Sequence, residues 1–136
     1  MDELFWDEIE YFDKDENWGD WRKVNPYLIK FLDKFRKLVG MPVYINNAYS
    51  AGSGHNKKSK HYLGEAADIH IKGMNVVDQY LMAEKCGLFN GIGVYPFWNN
   101  PGLHVDIRTK PARWGRNAAG VYVELNSKFI RSCLNG

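Results

Sequence analysis

Between Ser59 and Ile71 the chain reads Ser-Lys-His-Tyr-Leu-Gly-Glu-Ala-Ala-Asp-Ile-His-Ile, and this stretch restricts the possible fold more than any other. His61 and Asp68 are seven residues apart, too far to be neighbours on one helical face. A turn at Gly64 leading into a strand would instead bring both to one site. Residues 66–71 have the character of that strand: Ile69 and Ile71 face one side, while Asp68 and His70 share the other, because side chains alternate along extended backbone. The apolar face belongs to a core and the polar face to a cleft. An imidazole and a carboxylate are half of a catalytic metal site, which needs a third protein ligand and an open position.

His104 is the candidate for that third ligand. In Gly102-Leu103-His104-Val105-Asp106-Ile107-Arg108 the residues Leu103, Val105 and Ile107 fall on one strand face, and His104, Asp106 and Arg108 on the other. An imidazole, a carboxylate and a guanidinium therefore project together. Gly91-Ile92-Gly93-Val94-Tyr95-Pro96 precedes it as a short strand, and a turn over residues 97–102 makes the two an antiparallel hairpin.

The remaining chain supplies the scaffold. Residues 3–13 are expected to form a short helix, with Asp2 and Glu3 at its positive end and Leu4, Phe5, Ile9 and Phe12 at helical spacing. Trp18 and Trp21 are read as anchors of a polar loop. Asn25 caps a longer helix that has Pro26 in its first turn, a buried stripe of Leu28, Phe31, Leu32, Phe35, Leu38 and Val39, and Gly40 at its end. A strand over residues 42–46 follows, then a Gly, Ser, Asn and Lys-rich loop from Tyr49 to Lys60 that forms a wall beside His61. A second helix runs from its cap at Asn75 to about Cys86, with Val76, Val77, Tyr80, Leu81 and Ala83 facing inward and Gly87 ending it. Val121 to Leu125 is a last strand.

A chain of 136 residues, 45% of them hydrophobic, is long enough for one core, so a single domain spanning 1–136 is expected. No apolar run is long enough to cross a bilayer, and the N-terminus is acidic where a secretory leader would be basic and then apolar. Synthesis in the cytoplasm, no membrane insertion and a monomer are the expectations. Cys86 and Cys133 are two isolated thiols and define no disulfide framework. Nine acidic residues against Lys14 alone crowd positions 2–20, so the net charge of +2 leaves a basic body suited to an anionic partner. There is no paired CxxC, RNP-like strand or GXXG loop, and nucleic acid is not an expected partner.

Taken together, Ile45-Asn46-Asn47-Ala48-Tyr49, the Ser59 to Asp68 segment with its SxHxxGxAxD pattern, Gly91 to Pro96, His104-Val105-Asp106 and Arg113-Trp114 resemble the zinc D-Ala-D-Ala carboxypeptidase family. That family includes murein endopeptidases and phage endolysins and shares its fold with the Hedgehog signalling domain. The resemblance covers nearly the whole chain. It implies a small α+β domain with a central antiparallel sheet flanked by helices, and Zn2+ held by His61, Asp68 and His104. The implied substrate is a peptide bond of the peptidoglycan stem or cross-bridge, and a chain without a leader is similar to the endolysin-like members, which act on the wall after release.

Two positions depart from the family pattern. Many members carry an Arg after the first strand, where this chain has Ser50, and an acid three residues before the last ligand, where it has Pro101. Asp106 is the candidate general base in its place, or else the residue that orients a ligand. Arg108, His55, Lys57, Ser59 and Tyr95 are the candidate substrate contacts. Two imidazoles and one carboxylate leave room for a water on zinc, so hydrolysis is the expected reaction, with cutting inside the peptide favoured by Ser50. The alternative is a zinc-binding wall protein of the same fold that no longer hydrolyses its ligand.

Overall fold

The computed structural model of the chain describes residues 2–50 and 59–135. Its frame is set by α1 (Pro26–Val39), whose cap follows the sequence: the Asn25 side chain accepts the Tyr27 N–H, and Gly40 ends the helix in the left-handed region. Leu28, Ile29, Leu32 and Phe35 are its buried residues. Leu38, expected in that stripe, is 43% exposed because the core lies toward Ile29, rotated away from it.

Six strands follow: β1 (Val43–Asn47), β2 (Ala66–Ile71), β3 (Gly91–Tyr95), β4 (Gly102–Asp106), β5 (Ala112–Arg116) and β6 (Tyr122–Glu124). They form one sheet in the order β1-β2-β4-β3-β5-β6. The expected antiparallel core is present in β1-β2-β4-β3, and β3 pairs with β4 as the expected hairpin. Beyond it β5 joins β3 in parallel, making the sheet a mixed one, and β6 returns antiparallel to β5. The α2 helix (Val76–Cys86) packs on β3 and β4 and against α1, and α3 (Ser127–Asn135) packs on α2. One sheet face thereby joins the helices in the core, through Val43, Ile45, Ile69, Ile71, Leu103, Val105, Ile92 and Val94. The opposite face is left for chemistry. No helix among the described residues is long and apolar enough to cross a membrane.

Two helical expectations change in detail. The first helix is shorter than residues 3–13: a 3-10 turn spans Glu3–Glu8 and Ile9 is already extended. The N–H groups of Glu10 and Tyr11 turn instead to the Asp33 carboxylate at 3.1 and 2.8 Å, which lets Phe12 enter the core. In α2, Leu81 is 55% exposed and Gln79 takes an inward position. A buried amide is tolerated when fully hydrogen-bonded. Gln79 accepts the Ile71 N–H and donates to the Met74 and Pro101 carbonyls, tying the helix to the ends of β2 and β4.

Candidate metal centre

The register of the sheet assembles the site. Asp68 on β2 lies opposite His104 on β4, His104 opposite Gly93 on β3, and Gly93 opposite Trp114 on β5. These residues form one row across the open face. His61 reaches the same row from the turn that precedes β2. That turn depends on Gly64, which sits at φ +72° against Lys23, where any Cβ would collide with the Lys23 carbonyl. The Gly64 carbonyl accepts the Asn25 N–H at 2.8 Å, so the start of α1 fixes the turn.

His61, Asp68 and His104 converge. One donor atom from each lies within 4.8 Å of the others. His61 Nε2 is 3.2 Å and His104 Nδ1 is 3.4 Å from the same oxygen, Asp68 Oδ1. Ligands about 2.0–2.1 Å from a tetrahedral zinc stand roughly 3.3 Å apart, so both spacings match edges of such a site. The outer nitrogen of each ring is held as a metal ligand requires. His61 Nδ1 is 2.8 Å from the Ala48 carbonyl, and His104 Nε2 is 2.7 Å from Asp106 Oδ2. A fixed acceptor on one ring nitrogen leaves the lone pair of the other facing the cleft. The Ala48 carbonyl is itself placed by the N-terminal aromatic segment: Trp18 is fully buried, and its carbonyl accepts the Tyr49 N–H at 2.8 Å. The two tryptophans anchor the loop, as expected. The donor set and its supports fit a zinc ion.

The two carboxylates differ. Asp68 is partly open to the cleft. Burial would raise its pKa, yet hydrogen bonds from His104 and His61, donated when those rings are protonated, outweigh burial and hold the carboxyl below its usual range. Asp106 is 0% exposed and engaged on both oxygens. His104 Nε2 meets Oδ2, the Arg108 guanidinium spans both oxygens, and the Arg108 N–H donates to Oδ1 at 3.1 Å. Burial opposes its ionisation, but these hydrogen bonds from His104 and Arg108 prevail and place its carboxyl far below the ordinary range. For His104 burial works to lower the pKa, and its hydrogen bonds to Asp106 and Asp68 raise it overall.

The far wall of the cleft comes from β3, β5 and β6. A cleft of about 640 Å³ is lined by Ser59, Lys60, the three converging residues, Tyr95, Trp98, Arg108, Trp114, Arg116 and Tyr122. Trp114 lies against His104 with ring centroids 5.1 Å apart, and its Nε1–H donates to the Tyr95 hydroxyl at 3.0 Å. Tyr95 stacks on Trp98 at 4.3 Å. Burial, with Tyr122 nearby and against the Trp114 hydrogen bond, pushes the Tyr95 phenol up to about 12, so it is a neutral donor at physiological pH. Gly93 makes this wall possible, since a Cβ there would lie 2.5 Å from Trp114 Nε1 and 2.8 Å from Tyr95 Cε2.

Of the expected substrate contacts, Ser59, Tyr95 and Arg108 line the cleft, although the Arg108 fork is committed to Asp106. His55 and Lys57 lie outside the described residues. His70 shares the face of Asp68 but is not brought to the group: its Nδ1 is 2.7 Å from Asn46 Oδ1 and its ring stacks on Tyr44. Trp98, Arg116 and Tyr122 were not singled out by sequence reasoning. Arg113-Trp114 belongs to the family pattern, and the Arg113 side chain turns away from the cleft to pair with Glu84 on α2. The one available signal for the wall was the alternation of Trp114 and Arg116 along a short segment without apolar periodicity.

Fold and site thus define a small α+β domain with an open cleft in which two imidazoles and a carboxylate can hold a metal ion. The sequence matches the peptidase M15 family over residues 5–106, and the chain belongs to that family. A crystal structure of the Serratia marcescens L-Ala D-Glu endopeptidase ChiX is similar with a TM-score of 0.46 at 18% identity, over 76% of this chain and 95% of that one. No curated relative matches the chain significantly.

Proposed function

We propose that this peptidase is a zinc enzyme that hydrolyses a peptide bond in the stem or cross-bridge of peptidoglycan, cutting within the peptide rather than trimming its free end. The observation that supports this reading most is the convergence of His61, Asp68 and His104 with both imidazoles oriented from behind, in a chain of a peptidase family. Zinc in such a site lowers the pKa of a bound water and polarises the scissile carbonyl. The protein side of the reaction divides among named groups. His61, Asp68 and His104 hold the ion and leave the cleft side open. Asp106 acts as a positioning residue: both of its oxygens are engaged, and it keeps His104 Nδ1 turned to the cleft while Arg108 holds it ionised. The neutral Tyr95 hydroxyl, backed by Trp114, is a donor available to oxygen that gains charge during hydrolysis. Ser50 stands where an anchoring Arg would hold a terminal carboxylate, which favours internal cleavage.

The test is incubation of the purified protein with murein, with and without a chelator, followed by amino-group assay and mass spectrometry. New amino groups that vanish on chelation and reappear with zinc, from cuts inside stems or cross-links, are expected. Absence of new amino groups with a full zinc equivalent bound would leave a binding protein instead. Release of terminal D-Ala alone would reverse the internal-cleavage assignment.

A further inference from the structure

We infer that Arg116 is the carboxylate anchor of this cleft, selecting peptides that carry a free carboxylate a few residues from the scissile bond. The inference rests on the peptidase reading above and names the substrate group recognised. It begins with the cations that line the cleft, Lys60, Arg108 and Arg116. Lys60 faces Glu65 at 3.8 Å, and Arg108 is bound to Asp106 through Nε and Nη2 at 2.8 and 2.6 Å. Arg116 differs from both. Its Nε donates to the Gly120 carbonyl at 3.0 Å and its guanidinium lies over the Tyr122 ring at 5.1 Å. Among the described residues its two terminal amino groups meet no acceptor. The stem of the side chain is thus oriented and its fork is left for a ligand, the arrangement that suits bidentate capture of a carboxylate.

The position is fixed by the sheet. Arg116 is two residues beyond Trp114 on the same strand face and opposite Tyr122 on β6. The turn between the strands is closed by Asn117, whose side chain accepts the Ala119 and Val121 N–H groups, both at 3.0 Å. Strand spacing puts the Arg116 Cα about 12 Å from that of His104, two strands across and two residues along. The guanidinium is turned over Tyr122 and toward the Gly120 carbonyl, on the side of β5 away from His104, so the carboxylate it meets lies a few residues from the bond at the metal. Peptidoglycan stems offer two such groups, the carboxylate branching from a γ-linked glutamate and the free carboxyl end. The whole β5–β6 hairpin lies beyond residue 106, where the family match ends.

The experiment uses the zinc-loaded protein and three synthetic stem peptides: the all-acid form, one amidated at the branching carboxylate and one amidated at the terminus. Cleavage is followed for wild type, Arg116→Ala and Arg116→Lys, and binding of each peptide is measured by calorimetry. Wild type is expected to favour the all-acid peptide over one of the two amides, which identifies the carboxylate read. Arg116→Ala should weaken the all-acid peptide by about ten- to a hundredfold, in KM rather than kcat, and collapse the acid-over-amide preference. Arg116→Lys should restore part of it, because one ammonium replaces a two-pronged contact. Equal loss on all three peptides, no loss on any, or no binding of any peptide by wild type would overturn the inference. The calorimetric arm reads Arg116 even if no peptide is cut, in which case the peptidase reading fails and the anchor is judged on binding alone.

Discussion

The two sides of the cleft are built on different principles. On the β2–β4 side, Asp68, His104 and Asp106 are at least partly buried, Asp68 faces His104 across an antiparallel ladder, and Asp106 accepts behind the His104 ring. On the β5–β6 side, Trp114, Arg116 and Tyr122 are more open and stand on a parallel pairing and a short hairpin, with the Arg116 guanidinium over the Tyr122 ring. On the proposed reading the first side would hold the ion and the second would meet the peptide. Changes on the first should therefore act on metal and turnover together, and changes on the second on substrate preference and local stability.

The largest effect should come from the ligands. His61→Ala or His104→Ala is expected to abolish stoichiometric zinc, read by elemental analysis, and to remove hydrolysis with it; a full zinc equivalent in both variants would refute the site. Acidification should act in the same direction. Protons compete for the imidazole lone pairs and the Asp68 carboxylate, so zinc affinity should fall as the pH is lowered. A zinc affinity that does not change on acidification would contradict this.

Asp106→Asn ranks next. As a positioning change it should weaken zinc affinity by about ten- to a hundredfold, with activity returning when zinc is raised. Were Asp106 the general base, zinc would stay bound and turnover would fall by roughly two or more orders of magnitude with no rescue. Zinc titration of activity separates the outcomes.

The contrast between the two sides also explains what the sequence disclosed. His61, Asp68 and His104 were legible because strand alternation and a turn glycine are local signals, and β2 and β4 each carry their own apolar face. The helices were legible from Asn25, Gly40, Asn75 and Gly87, whose capping roles depend on neighbours in the chain. In the β5–β6 wall the last strand was legible over residues 121–125, but β5 was not, because pairing Gly93 with Trp114 is a non-local, parallel contact that residues 112–116 do not advertise by periodicity. Gln79 was unreadable for a similar reason: its inward position depends on backbone groups of Ile71, Met74 and Pro101, from three separate segments. Spacing alone leaves Asp106 as either base or positioning residue, and the zinc titration of Asp106→Asn decides between them.

Gly93→Ala tests the boundary between the sides. The new methyl would press on Trp114 and Tyr95, and relieving it should cost about 1–3 kcal/mol in denaturant unfolding. Peptide preference should change with it while zinc remains bound. Stability equal to wild type would mean that the aromatic wall moves freely and is not seated on β3.

The smallest predicted effect is the sharpest test of independence. Trp114→Phe keeps an aromatic ring near His104 but removes the Nε1–H that donates to Tyr95 at 3.0 Å. The net value of one such neutral hydrogen bond is about 0.5–1.5 kcal/mol, and a modest loss of packing adds to it because Phe is smaller. Tyr95 sits at the edge of an open cleft, so water can replace the lost donor and keep the cost toward the low end. Trp114 meets His104 only through ring contact, and the His104 outer nitrogen is held by Asp106, so zinc affinity should stay within about threefold of wild type. Thermal unfolding and zinc titration together read both quantities. A fall in zinc affinity of about tenfold or more would show that Trp114 shapes the ligand His104 as strongly as Asp106 does, and the cleft would then be one energetic unit rather than a holder and a surface.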